Sequence, residues 1–366
     1  MKHLLDLTLD EFSDSCIDAG RPGYLAKQVF NWIYQKNVVD FQSMTNVSKA
    51  DRQWLESSYR ILRSRVDRFQ QATDGTIKLL LGWDPPQDGS LPLMSGEGEL
   101  RQTETVMIPA AKRRTACVSS QVGCPVGCRF CASGLGGLEG NLSAGQIIEQ
   151  VLRLTMDDDV DRITNIVFMG MGEPLANESA VTRAIRILNA SWGMGIGARH
   201  ITVSTVGLPK AIRRFAKFDL PVTLALSLHA PNDELRRSLI PWADYSTVDE
   251  LLSACQKWFD VSGREITLEY LLLREVNDRT EHARQLARIA STLRSSVNLI
   301  RYNEVKGLPY QRPSTVDVRE FQRILRRHGV RATIRASRGR DIAAACGQLR
   351  YEQRSKRASP QPDSRT

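Results

Sequence analysis

From Thr115 to Arg335, short β-branched runs alternate with stretches of helical period, and this alternation limits the fold more than anything else in the chain. Strands are predicted at Thr115–Val122, Ile163–Met169, His200–Ser204, Val222–Ser227, Glu265–Leu272, Val297–Tyr302 and Arg331–Arg335. Helices fall between them, at about 143–156, 177–190, 208–217, 249–261, 279–293 and 315–328. Ser143-x-x-Gln146 and Ser314-x-x-Asp317 read as capping boxes, and Gly329 stands where a C′ glycine would end a helix. Repeated strand–helix units build a parallel sheet with right-handed crossovers, either open or curled into a barrel. Ligands bind such sheets at the carboxyl ends of the strands. Nearly every candidate residue falls where a predicted strand runs out.

Upstream the period changes. Residues 1 to about 62 read as helices, with Ala26, Val29, Phe30 and Ile33 at i, i+3, i+4 and i+7 and Leu25 widening the stripe. Lys27, Lys36, Lys49 and Arg52 stand among Trp32, Tyr34 and Phe41. That mixture suits a nucleic-acid grip and suits a small helical core with a solvated rim equally well. Asp74-Gly75 signals a turn before a strand at Thr76–Trp83, and Glu104–Pro109 is a second candidate. Between them, Asp84 to Gly98 is rich in Pro, Gly and Ser and marks a loop and a boundary. The expected organisation is an N-terminal helical domain with its linker at 1–98, a core at 99–349 and a flexible basic tail at 350–366.

Cys124, Cys128 and Cys131 lie in Gly-Cys-Pro-Val-Gly-Cys-Arg-Phe-Cys, a C-x₃-C-x₂-C spacing with three thiolates and no fourth. Soft thiolates on a Gly/Pro-broken loop suit zinc or an iron–sulfur cluster. A closed zinc site would borrow its fourth ligand from afar, as from Cys117 or Cys346. A [4Fe–4S] cluster on three cysteines instead keeps one iron free for a substrate. Seven cysteines, three of them within eight positions, argue against a secreted disulfide framework. No window approaches the ~20 apolar residues of a membrane span, and the N-terminus lacks a signal-peptide core. A cytoplasmic protein with no membrane partner is expected. The net charge of +9 favours a polyanionic partner, although part of it sits after Leu349.

Other candidates gather at strand ends. Met169-Gly-Met-Gly-Glu-Pro174 places two glycines and a carboxylate after the second core strand, where they suit an ammonium ligand or an ordinary strand–helix turn. Ser204, Ser227-Leu228-His229 and Asn303 end the third, fourth and sixth strands, as pocket contacts or as turn caps. Cys117 lies on the first core strand and Cys346 follows the last. They are either small buried hydrophobes, which suits Cys16 and Cys255, or a reactive pair.

Four longer motifs, in order, narrow these readings: Cys117-Val-Ser-Ser-Gln-Val-Gly-Cys124, Met169–Pro174, Leu226-Ser-Leu-His-Ala-Pro-Asn-Asp233 and Ala344-Ala-Cys-Gly-Gln-Leu349. With them the chain resembles, from about residue 20 to residue 349, the RlmN/Cfr family of radical S-adenosylmethionine (SAM) rRNA adenine methyltransferases. The resemblance implies an α/β fold, a partial (β/α)6-type radical SAM barrel with a small N-terminal helical domain and a short β extension. It implies one [4Fe–4S] cluster on Cys124, Cys128 and Cys131, with exchangeable SAM contacted by Gly172, Glu173, Ser204, Ser227, Leu228, His229 and Asn303. Adenine C2 is an electron-poor amidine carbon that cannot attack the methyl of SAM, so a radical route is needed. By resemblance, Cys346 takes a methyl from a first SAM, and the radical made from a second abstracts hydrogen from that S-methyl group. The resulting methylene radical adds to C2, Glu104 handles the C2 proton, and Cys117 attacks the bridging sulfur to release product.

The implied partners are 23S rRNA, methylated at C2 of adenosine 2503, and some tRNAs at adenosine 37. An external one-electron reductant is also implied, a small donor protein such as flavodoxin, and the enzyme is expected to be a monomer that docks RNA through its N-terminal domain and tail. Cfr-like C8 methylation of the same nucleotide shares every cysteine motif and stays open. So does a non-catalytic, zinc-stabilised RNA-binding protein. Two stretches depart from the family pattern, Ala132-Ser-Gly-Leu-Gly-Gly137 after the third cysteine and Arg301-Tyr302-Asn303-Glu304, which adds opposite charges beside the expected SAM contact.

Overall fold

The computed structural model describes residues 1–84, 101–157 and 159–348; the expected linker after Asp84 and the tail at 350–366 lie outside them. A two-residue strand β1 (Lys2–His3) precedes helices α1 (Leu9–Asp18), α2 (Tyr24–Phe30) and α3 (Lys49–Ser58), and pairs in parallel with β2 (Tyr59–Arg60). The stripe of Ala26, Val29, Phe30 and Ile33 is wholly buried, as the period requires. It does not make a core of its own. Phe30 stacks on Trp192 at 5.3 Å, and the buried side chains of both regions form one continuous cluster. Asp6 ties the two together, its Oδ1 accepting from Gly145 N (2.6 Å) and its carbonyl from Arg183 Nε (2.7 Å).

Strands β3 (Ser64–Gln71), β4 (Ile77–Trp83), β5 (Arg101–Ala110) and β6 (Arg113–Cys117) form an antiparallel meander. A small hairpin of β7 (Gln121–Gly123) and β8 (Leu138–Asn141) then leads into α4 (Ala144–Thr155). From β6 onward the sheet is parallel. It adds β9 (Asn165–Phe168), β10 (Ile201–Thr205), β11 (Thr223–Ser227), β12 (Ile266–Leu272), β13 (Ser295–Arg301) and β14 (Ala332–Arg335) in sequence order. The crossovers carry α4, α5 (Glu178–Asn189), α6 (Pro209–Phe215), α7 (Asp233–Leu239) with α8 (Val248–Ser262), α9 (Thr280–Ser291) and α10 (Thr315–Arg327). All ten strands belong to one open sheet with β3 and β14 at its edges, so among the described residues the barrel is partial rather than closed. β3 to β5 are the β extension, and β4, which precedes the expected boundary, pairs with β5, which follows it.

Periodicity located the parallel strands and six of their helices within a few residues, but missed the short α7 and misread one strand. The strand expected over Thr115–Val122 breaks after Cys117. There Ser119 N donates to Gln150 Oε1 (2.8 Å) and Ser119 Oγ to the Glu104 carbonyl (2.8 Å), which turns the chain and lets Gln121–Gly123 pair with β8. The capping box at Ser143 forms; at Ser314 the Oγ accepts from Asp317 N (3.1 Å) and donates to Asp317 Oδ2 (2.5 Å), so the aspartate meets the serine hydroxyl rather than its backbone N–H. β3 (Ser-Arg-Val-Asp-Arg-Phe-Gln-Gln) has no apolar alternation and was not expected; its pairing with β4 holds it.

Past β14 the chain crosses to the meander. Gly339 N donates to Asp74 Oδ2 (3.1 Å), Thr73 N to Asp341 Oδ2 (2.9 Å) and Lys78 Nζ to the Ala343 carbonyl (3.1 Å). These bonds carry Cys346 from one edge of the sheet to strands β4–β6. No helix among the described residues is long and apolar enough to cross a membrane.

Candidate active site

A cavity opens at the carboxyl ends of β9 to β14, the place where sheets of this kind bind ligands. Cys124, Cys128, Cys131, Gly172, Glu173, Ser204, Ser227, His229 and Cys346 all line it. A smaller adjoining cavity is lined by Cys117 and Asn303 and shares Met169, Ile300, Arg335 and Cys346 with the first. Leu228 is different: its side chain is fully buried in the main core.

The cysteine loop is pinned on three sides. Cys124 N donates to Gly137 O (2.9 Å), Arg129 N to Leu239 O at the end of α7 (3.0 Å) and Ala132 N to Gly347 O (2.8 Å), beside Cys346. Burial pushes the Cys124 thiol up to about 12 and raises Cys128 and Cys131 as well, so metal binding must displace their protons. The three thiols line one cavity, and three soft sulfur ligands of this kind suit a four-iron cluster that would keep one iron for a substrate.

The Met169–Pro174 turn builds the opposite wall. Gly172 has φ +104°, and a Cβ there would lie 2.7 Å from both Gln121 Cβ and Ser120 Oγ, so only glycine fits. Glu173 is aimed by backbone donors, Leu175 N to Oε1 (3.0 Å) and Val206 N to Oε2 (2.8 Å). Burial outweighs these bonds and raises its carboxyl to about 7, which suits a carboxylate awaiting a cation. Ser204 and Ser227 share a hydrogen bond at 3.1 Å.

His229 adopts a left-handed φ of +59°, held by Asn277 Nδ2 donating to its carbonyl (2.8 Å). Its Nδ1 accepts from Leu271 N (3.1 Å), and burial with the nearby Arg236 lowers its pKa to about 3. The ring is therefore neutral, and Nε2 carries the proton as a donor. Asn303 Oδ1 accepts from Arg312 Nη1 (2.7 Å), leaving its amide NH₂ free to donate. The two charges that depart from the family pattern line neither cavity. Arg301 bonds Thr315 Oγ1 (3.1 Å) and the Pro313 carbonyl (2.9 Å), and Glu304 Oε1 accepts from Arg312 N (3.4 Å).

Cys117 and Cys346 meet at the smaller cavity. Burial first, then Cys346, raises the Cys117 thiol to about 12. Lys78, Val106 and Cys117 stand opposite one another in register, and Glu104, two residues from Val106, shares their sheet face. Lys78 Nζ lies 3.1 Å from Glu104 Oε1. Sequence reasoning missed Lys78, Glu269, Arg335 and Arg236. Arg335 is held charged, chiefly by Cys346 and then by Glu269 and Cys117, and faces both cavities. A usable signal existed for Lys78 and Glu269, each a charge inside an otherwise apolar strand.

Residues 118–287 match the Radical SAM superfamily, and residues 2–61 the Ribosomal RNA large subunit methyltransferase N-terminal domain. The chain is 46% identical over 331 residues to a probable dual-specificity RNA methyltransferase RlmN of Gloeobacter violaceus, covering 90% of each chain. It is 47% identical over 354 residues to the like-named protein of a Synechococcus species, covering 95% of each. Its fold is similar to the crystal structure of a radical SAM methyltransferase from Sphaerobacter thermophilus, with a TM-score of 0.89 and 42% identity over 96% of this chain and all of that one.

Proposed function

The chain belongs to the RlmN family of radical SAM RNA methyltransferases, and we propose that it methylates C2 of adenosine 2503 in 23S rRNA and C2 of adenosine 37 in some tRNAs. The observation that carries this reading is the shared small cavity of Cys117 and Cys346, next to the larger one walled by Cys124, Cys128 and Cys131. Cys124, Cys128 and Cys131 would hold a [4Fe–4S] cluster, which would supply the electron for reductive cleavage of bound SAM to a 5′-deoxyadenosyl radical.

The chain's own residues do the rest. Glu173 takes the ammonium of SAM, while Ser204, Ser227, Asn303 and the Nε2–H of His229 orient its remaining polar groups. The Cys346 sulfur displaces S-adenosylhomocysteine from one SAM and keeps the methyl. Loss of a hydrogen atom from that methyl leaves a methylene radical, which bonds to C2. Glu104 accepts the C2 proton as one electron passes from the adduct to the cluster site, which SAM cleavage would have left oxidised. The Cys117 sulfur then forms a disulfide with Cys346, breaking the S–CH₂ bond, and the released carbon is protonated to a methyl group. A small electron-donor protein of the flavodoxin kind, a cytoplasmic location beside the ribosome and a monomeric enzyme complete the proposal. The N-terminal helices and basic tail are assigned to RNA docking.

Support for two RNA classes comes from the relatives' dual-specificity name. Mass spectrometry of nucleosides from rRNA and tRNA transcripts treated with cluster-loaded enzyme tests the reading. 2-Methyladenosine in both is expected. 8-Methyladenosine would assign C8 chemistry instead, and methylation of rRNA alone would remove the tRNA role.

A further inference from the structure

Arg236 lies on α7, and only 1% of its surface is exposed. Its Nη2 donates to the Val206 carbonyl, but Nε and Nη1 are buried without a hydrogen-bond partner among the described residues. A desolvated guanidinium with idle N–H groups is costly, and one carbonyl bond does not explain it, since a neutral donor could make that bond. Its surroundings do explain it. Leu235 and Leu239, which flank it on α7, pack in one apolar cluster with Cys124, Cys128 and Cys131. Val206, which Arg236 bonds, and His229 both line the same cavity as the three cysteines. Main-chain bonding of Arg129 N to Leu239 O (3.0 Å) fixes α7 to the cysteine loop, so this charge cannot drift from the thiolates.

We propose that Arg236 is a fixed cation behind the cluster wall that stabilises the reduced cluster and so raises its reduction potential. The inference rests on the reading of Cys124, Cys128 and Cys131 as ligands of a [4Fe–4S] cluster. The step it acts on is one-electron reduction of the 2+ cluster to the 1+ state by an external donor, with no proton or bond exchanged at Arg236. Each thiolate-bound cluster gains one negative charge in that step. A buried guanidinium lowers the cost of that charge far more than a solvated one, because little water screens it. Arg236 touches no substrate; it acts through the cluster.

The test is an anaerobic potentiometric titration of reconstituted protein, with dithionite as reductant and the EPR signal of the 1+ cluster as readout. Iron and sulfide contents are matched beforehand. Arg236→Gln and Arg236→Met are expected to lower the reduced-to-oxidised ratio at a fixed poise at least tenfold, about 59 mV for a one-electron couple. Arg236→Lys, which keeps the charge, should recover most of that loss. Neutral variants that titrate with wild type overturn the proposal, and so does a lysine variant shifted as far as glutamine. Should neither neutral variant load a cluster, pulsed EPR of ¹⁵N-arginine-labelled wild type decides. Nitrogen couplings that disappear in Arg236→Lys support the assignment, and their absence overturns it. Wild type that takes up no reducible cluster is a separate result and sinks the cluster reading beneath.

Discussion

Replacing Glu173 by Gln separates a binding charge from its cost. Burial raises the Glu173 carboxyl from an ordinary 4.5 to about 7, a differential of about 3 kcal/mol at 1.36 kcal/mol per unit. Because the folded chain binds this proton more tightly than the unfolded chain, stability falls as pH rises from about 4.5 to about 7 and levels above that. Gln cannot ionise, so Glu173→Gln lacks this loss. It carries a different cost at every pH, since its amide NH₂ must face Leu175 N or Val206 N, and one lost hydrogen bond is worth about 1–3 kcal/mol. Urea denaturation of the metal-free protein should therefore show the variant gaining about 3 kcal/mol on wild type between pH 4.5 and pH 8. SAM binding supplies the second arm. If the ammonium pairs with ionised Glu173, affinity of the cluster-loaded wild type should rise from pH 5.5 to pH 7 as that carboxyl ionises. Equilibrium dialysis should find that rise gone in Glu173→Gln. A flat wild-type affinity over this range would refute the pairing, and a pH-independent stability difference would refute the shifted ionisation.

Ala at Cys124, Cys128 or Cys131 should abolish the ~400 nm charge-transfer absorption and SAM cleavage, because a cluster on three thiolates has no spare ligand; full iron with turnover in any of them excludes the assignment. The outlying cysteines should behave unequally. Cys346→Ala should make no methylated RNA, whereas Cys117→Ala should stall with RNA covalently attached, seen as a nuclease-sensitive band shift; normal turnover by Cys117→Ala would remove its resolving role. Lys78→Met removes the cation 3.1 Å from the buried Glu104 carboxylate, and should lower stability in denaturant titration. A Lys78→Met, Glu104→Gln double variant should recover much of that loss, and a double as unstable as the single would show that the pair's charges are not the cause.

Local order in the chain carried the fold a long way. Helix and strand periods need only neighbours in sequence, so the strands of the parallel sheet and the longer helices between them were readable, and their alternation already implied a parallel sheet with its site at the carboxyl ends; the short α7 and the β7–β8 hairpin were not readable. Gly172 and Glu173 were legible for the same reason, since a strand-end turn is a local object. Residues whose role depends on a partner far along the chain were not legible. Lys78 gains meaning only when register sets it against Glu104 and the terminal segment brings the Ala343 carbonyl to its amine. Arg236 reads as an ordinary helix cation until the chain buries it beside a cysteine more than a hundred residues earlier. Leu228 shows the converse, since adjacency to Ser227 and His229 suggested a contact, yet alternation along the strand end turns its side chain into the core. Sequence thus determined what each segment becomes and which chemistry it carries. Tertiary structure decided which charges lose water together, and burial is what turns a lysine, a glutamate or an arginine into part of a site.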